Sequence, residues 1–192
     1  MINSDKIRLG SEIREVRKAR GLTLNNLSSM LSCSTAYLSR IERGTAQVSE
    51  ILIGEISTAL NIEKSWFFPN KLGVGPLEIA HVVRSQNRRP LSDMYTRSEA
   101  ELGFRDELLS STLSGQCYLI MSHFPPGVGE PPTPQEGFVY EGEQHAVVIS
   151  GEVELKLGDE TIVLRKGDSL SYPTMIAHRF CNRTDKEATV VW

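Results

Sequence analysis

The chain has 192 residues, enough for one large domain or two small ones, and its 40% hydrophobic and 23% charged content suits a globular protein rather than a disordered one. No apolar run opens the chain and none nears the roughly 18 residues of a membrane span, so the expected location is the cytoplasm, away from membranes. The net charge of -3 conceals an asymmetry: residues 6–44 hold Lys6, Arg8, Arg14, Arg17, Lys18, Arg20, Arg40 and Arg43 against Glu12, Glu15 and Glu42. A basic head on an acidic body fits a nucleic-acid-binding module joined to something else.

Residues 6–68 read as helices. The first spans 6–20, with Ile13, Val16 and the stem of Arg20 on one side and Gly21 placed to end it. Thr23 can cap a second helix in which Leu24, Leu27, Met30 and Leu31 recur at helical spacing. After Ser32-Cys33-Ser34, Ser34 can cap a third helix reaching Arg43, with Leu38 and Ile41 inward and Gly44 beyond its end. A fourth helix, 49–60, carries Ile51, Leu52, Ile56, Ala59 and Leu60, and Trp66, Phe67 and Phe68 form an apolar plug before Pro69.

From residue 70 the pattern changes. Two glycines and a proline within 70–76 mark a linker. Short β-rich runs follow at 79–83, 117–124, 145–149, 153–157, 161–164, 169–172, 179–181 and 189–192, separated by Gly, Pro or Asp. This spacing predicts a sandwich or barrel. Residues 84–114 are polar and mixed, and irregular structure with one or two edge strands is expected there. The proline-rich stretch 124–134 is expected to form a rigid loop over the barrel mouth. Cys33, Cys117 and Cys181 are scattered without CxxC spacing, against a disulfide framework or a zinc knot.

The segment Leu22–Gly44, and most specifically Leu38-Ser39-Arg40-Ile41-Glu42-Arg43-Gly44, resembles the helix-turn-helix domains of phage repressors and their bacterial relatives, the Xre family. A recognition helix needs an apolar inner face, here Leu38 and Ile41, and a short polar outer face, here Thr35, Ala36, Ser39 and Arg40, to enter the major groove. The resemblance implies base contacts from Thr35, Ala36 and Arg40, and phosphate contacts from Thr23, Ser34 and Arg43. It also implies a buried Arg17–Glu42 pair joining the first and third helices.

Residues 112–192 resemble the cupins, small jelly-roll barrels: Gly167, Pro173, His178 and Asn182 stand in the second cupin motif, with Met175 replacing a glycine, and Val147–Glu152 fits the end of the first. In metal-binding relatives a His, a Glu and the motif His form the ligand set. Here Tyr140, or in the alternative alignment Phe138, and Gln144 take the first two places, leaving His178 alone. A neutral amide and a protonated phenol are poor ligands, so no metal and no cofactor are expected. His123 with His178 and Glu141 or Glu143 is the alternative metal set. Without metal, Phe138, Tyr140, Gln144 and His178 would line a ligand site suited to an amine or an amino acid, since aromatic faces attract cations.

The expected fold is therefore α+β and multidomain: an all-α helix-turn-helix domain over 5–69, a linker at 70–77 and an all-β cupin jelly roll over 78–192. The combination implies a homodimeric transcription repressor that binds double-stranded DNA at a palindromic operator and releases it when a small-molecule effector enters the barrel. The rival is an iron-dependent oxidoreductase of the epoxidase type on the same two-domain plan, for which the ligand set here is incomplete.

Overall fold

The computed structural model describes residues 3–68, 81–94, 102–113, 116–128 and 142–192. The linker at 70–77 and the candidates Phe138 and Tyr140 lie outside the described residues. The chain divides into two compact units, Met1–Thr96 with Leu108–Tyr118, and Arg97–Glu107 with Leu119–Trp192.

The first unit is built on four helices: α1 (Asn3–Ala19), α2 (Leu24–Ser29), α3 (Thr35–Glu42) and α4 (Glu50–Leu60). Three start at an oxygen-bearing cap. Thr23 accepts from the Asn26 amide in a reciprocal capping box, Ser34 accepts from Tyr37 N, and Ser49 accepts from Leu52 N. Three end in a left-handed residue, Gly21 (φ 65), Gly44 (φ 69) and Asn61 (φ 52). At each the following amide reaches back over the last turn, as Leu22 N to Arg17 O at 3.1 Å and Thr45 N to Arg40 O at 2.9 Å.

Leu9, Ile13, Val16, Leu27, Leu38, Ile41, Leu52, Ile53, Ile56, Leu60, Trp66 and Phe67 are buried in this unit. Helices α1 and α3 approach so closely that a Cβ on Gly10 would clash with the Ile41 carbonyl oxygen. Periodicity overreached at the rim. Met30 caps α2 rather than extending it, and Met30, Ile51 and Phe68 remain exposed, because a four-helix unit this small has too little interior for every apolar residue. Residues 84–94 hold two 3₁₀ turns, Ser85–Asn87 and Leu91–Met94, around the two-residue strand β1 (Arg89–Pro90).

The second unit carries β2 (Arg105–Leu108), β3 (Ile120–Phe124), β4 (Glu143–Ser150), β5 (Glu152–Leu157), β6 (Glu160–Arg165), β7 (Ser169–Pro173), β8 (His178–Cys181) and β9 (Ala188–Val191). One sheet runs β2-β3-β9-β4-β7 and the other β6-β5-β8. Alternation along the strands sends Phe124, Ala146, Val148, Val153, Leu155, Leu164, Ala188 and Val190 into a common core. At the β4–β5 corner Gly151 (φ 74) passes Ala188 where a Cβ would come within 2.7 Å of that residue's Cα. Buried Asn182 donates to the carbonyls of Phe124 and Lys186 and accepts from Thr184, which explains the asparagine of the motif as a lock on the β8–β9 turn. Two strand expectations shorten: Val82 and Val83 lie in no strand, and residues 117–119 precede β3, where Cys117, Tyr118 and Leu119 stay exposed. No helix among the described residues is long and apolar enough to cross a membrane.

Candidate functional site

The geometry of α3 follows from its two faces. Leu38, Ile41 and Glu42 are buried, and Ala36, Arg40 and Arg43 are exposed. The buried face is fixed by Arg17 of α1. Its Nε and Nη2 lie 2.6 and 2.8 Å from the two Glu42 carboxylate oxygens, and Nη1 donates to Leu22 O at 2.7 Å. This is the expected pair, and the hydrogen bond to Glu42 raises the Arg17 pKa above its ordinary value, outweighing the opposing effect of burial. The charge surplus seen in the sequence is thus partly internal. Arg17 is consumed by Glu42, Arg20 donates to Leu60 O at the end of α4, and Lys18 meets Glu15 at 3.2 Å.

The other candidates differ in what they offer. The Thr35 hydroxyl lies 2.7 Å from Ser28 Oγ, so it ties α3 to α2 from a half-buried position. Thr23 Oγ is engaged in its capping box. Ser34 Oγ accepts from Tyr37 N, which leaves its proton to donate outward. Arg43 Nη1 donates to Ser39 Oγ at 2.6 Å, which holds that guanidinium along the helix, and Arg40 extends from the exposed face.

In the barrel, Gln144 on β4 faces Tyr172 on β7, and the Tyr172 hydroxyl donates to Gln144 Oε1 at 2.6 Å. The Tyr172 ring meets His178 edge-on at 4.8 Å. Tyr172 was not among the residues expected from the sequence; its signal is the β4–β7 register, which a motif search does not contain. His178 is buried, with Nδ1 2.8 Å from Ile176 O. A carbonyl only accepts, so Nδ1 carries the hydrogen of the neutral ring. Burial lowers the His178 pKa from its usual 6.5, and the Ile176 carbonyl offsets this in part.

Of the alternative metal set, Glu141 lies outside the described residues, and the described members other than His178 are engaged elsewhere. His123 lies across β3 from Ser122 and Phe124, which both face inward, and instead sits 3.6 Å from Glu107 and 3.5 Å from Glu187. Glu143 is exposed and pairs with His145 at 3.1 Å. Among the described residues no group of three or more His, Cys, Asp or Glu could hold a metal ion. Among the described residues the donors beside His178 are an amide and a phenol, which do not fit the iron of metal-binding cupins.

Residues 13–67 match the family model described as helix-turn-helix, HTH_3, and residues 121–192 match that described as cupin domain, Cupin_2. The chain is an Xre-type helix-turn-helix protein with a C-terminal cupin domain. This helix-turn-helix cupin chain is 24% identical over 178 residues to the HTH-type transcriptional regulator SutR of Escherichia coli K12, covering 91% of this chain and 86% of that protein. It is 34% identical to the restriction-modification controller protein C.AhdI of Aeromonas hydrophila, over 34% of this chain and 98% of the controller, with a TM-score of 0.33. The HTH_3 family transcriptional regulator of Vibrio cholerae is 15% identical, with 98% and 95% of the two chains covered and a TM-score of 0.41. The hydroxypropylphosphonic acid epoxidase of S. wedmorenis is 15% identical, with 97% and 96% covered and a TM-score of 0.45.

Proposed function

We propose that this protein is a sequence-specific DNA-binding transcription regulator, acting as a repressor, whose cupin barrel binds a small metabolite and thereby alters operator affinity. The observation that carries the reading is the α3 surface: Ala36, Arg40 and Arg43 exposed on a helix whose opposite face is pinned to α1 by the Arg17–Glu42 pair. Arg40 is suited to a bidentate contact with a guanine edge and Ala36 to a thymine methyl group. Ser34 and Arg43 supply phosphate contacts, and Thr23 and Thr35 shape the motif through their internal bonds.

Two copies would place their recognition helices about one DNA turn apart on a palindrome. The effector would meet Gln144, Tyr172 and His178 at one end of the barrel, a set of neutral polar groups beside an aromatic ring, suited to an amine or an amino acid. Effector binding shifts operator affinity by the difference in its own affinity for the free and DNA-bound forms.

The test is fluorescence anisotropy of the full chain on DNA from upstream of its own gene against an unrelated duplex, over a salt series. Selective, salt-sensitive binding is expected, and amines and amino acids are then screened for release. Equal weak binding to both duplexes would sink the regulator reading. Elemental analysis of the same preparation addresses the oxidoreductase alternative, which stoichiometric iron would restore.

A further inference from the structure

Strand β6 stands at one end of the β6-β5-β8 sheet. It pairs with β5 in unbroken register from Leu157↔Glu160 to Glu152↔Arg165, without a bulge. Along its far side no other strand pairs with it among the described residues. All its residues but Leu164 are exposed, and Ile162 and Val163 keep 38% and 40% of their surface in water. Thr161, Ile162 and Val163 are β-branched, the side chains that favour strand pairing. Natural proteins protect a bare edge with a proline, a mid-strand lysine, a bulge or a cover, and β6 has none of the first three. Its ends are oppositely charged: Asp159 and Glu160 at the start, Arg165 and Lys166 at the finish.

We propose that β6 is the edge through which two copies of this chain join, antiparallel, to make one continuous six-stranded sheet across the dimer. The proposal deepens the homodimer reading above and rests on it. A two-fold axis between antiparallel copies of one strand must run perpendicular to the sheet, so each residue faces one on the same side of the sheet. Centring on Ile162 sets Asp159 against the partner's Arg165. Centring on Val163 sets Glu160 against the partner's Lys166. In both registers acid meets base at each end of the strand, whereas a parallel pairing in register would set acid on acid. Ile162 meets an apolar residue of the partner on the barrel side in both registers, and on the outer side Val163 meets the partner's Thr161 in the first register and the partner's Val163 in the second. Arg165 Nε already contacts Glu152 at 2.9 Å, and its side chain stays 68% exposed, which leaves the terminal nitrogens for the partner.

The experiment is sedimentation equilibrium of the full chain and of the Thr161→Lys/Val163→Lys variant, whose substitutions fall on exposed positions, with circular dichroism to confirm the fold. Alongside it, Ile162→Cys and Val163→Cys are oxidised separately in a Cys33→Ser/Cys117→Ser background. The expected result is a dimeric wild type, a dimer dissociation constant at least tenfold weaker in the lysine variant, and an intermolecular disulfide in one of the two cysteine variants, whichever lies on the axis. If the lysine variant loses its fold, the disulfide result decides alone. A wild-type dimer with an unaffected lysine variant, or with no disulfide at either position, would overturn β6 as the contact while leaving a homodimer formed elsewhere. A monomeric wild type would overturn both.

Discussion

Arg89 sets its Nη1 3.1 Å from Glu12 Oε2 and stacks its guanidinium 4.7 Å above the Trp66 ring. Glu12 is wholly buried on α1, and it also accepts the Leu113 amide at 3.0 Å. A carboxylate of the DNA-binding unit therefore draws its neutralising partner from 77 residues further along the chain. Removing one member of a buried pair leaves an uncompensated charge, so Arg89→Met is expected to destabilise the helical unit by about 3–5 kcal/mol. Glu12→Met/Arg89→Met is expected to recover most of that. Urea unfolding followed at 222 nm measures both, and a double variant no more stable than the single would contradict this account.

Gly10 and Gly54 predict opposite outcomes for the same substitution. At Gly10 the added methyl meets the carbonyl of Ile41, so Gly10→Ala is expected to cost about 2–3 kcal/mol and to weaken DNA binding by displacing α3. At Gly54, inside α4, a Cβ meets nothing within 4 Å, and Gly54→Ala is expected to stabilise by about 0.5–1 kcal/mol. Thermal unfolding of the two variants side by side distinguishes steric contact from helix propensity.

Arg40 and Arg43 should separate recognition from attraction. Arg40→Ala is expected to lose about 1–3 kcal/mol on the operator and little on random DNA. Arg43→Ala is expected to weaken both alike and to lower the salt slope by about one. Equal losses on both duplexes for Arg40→Ala would remove it from base recognition. Neither change should move the unfolding midpoint much, since both side chains are exposed.

His178 gives the barrel a pH dependence with a defined sign. Its folded pKa lies below the ordinary 6.5, so the unfolded chain takes up a proton at a pH where the folded chain does not. The stabilisation from its neutral, buried ring is fully present above about pH 6.5 and is lost as the pH falls below that value and through the folded pKa. In His178→Gln the fall in melting temperature from about pH 7 to pH 5 should be shallower than in wild type. Equal slopes would show that His178 titrates normally.

Sequence alone determined the parts governed by short-range chemistry. Thr23 and Ser34 announce helix starts, and Gly21 and Gly44 announce ends, because capping bonds and left-handed dihedrals involve residues within one turn. Short β-rich runs separated by Gly, Pro or Asp likewise revealed the strands from β4 to β9. Distances across the fold decided the rest. Strand register put Tyr172 between Gln144 and His178, and pleat parity turned His123 away from the barrel. Packing left Met30, Ile51 and Phe68 in water and set Arg89 on Glu12. Burial and charge compensation depend on which distant segments meet, and that information is spread along the chain rather than held in any local window.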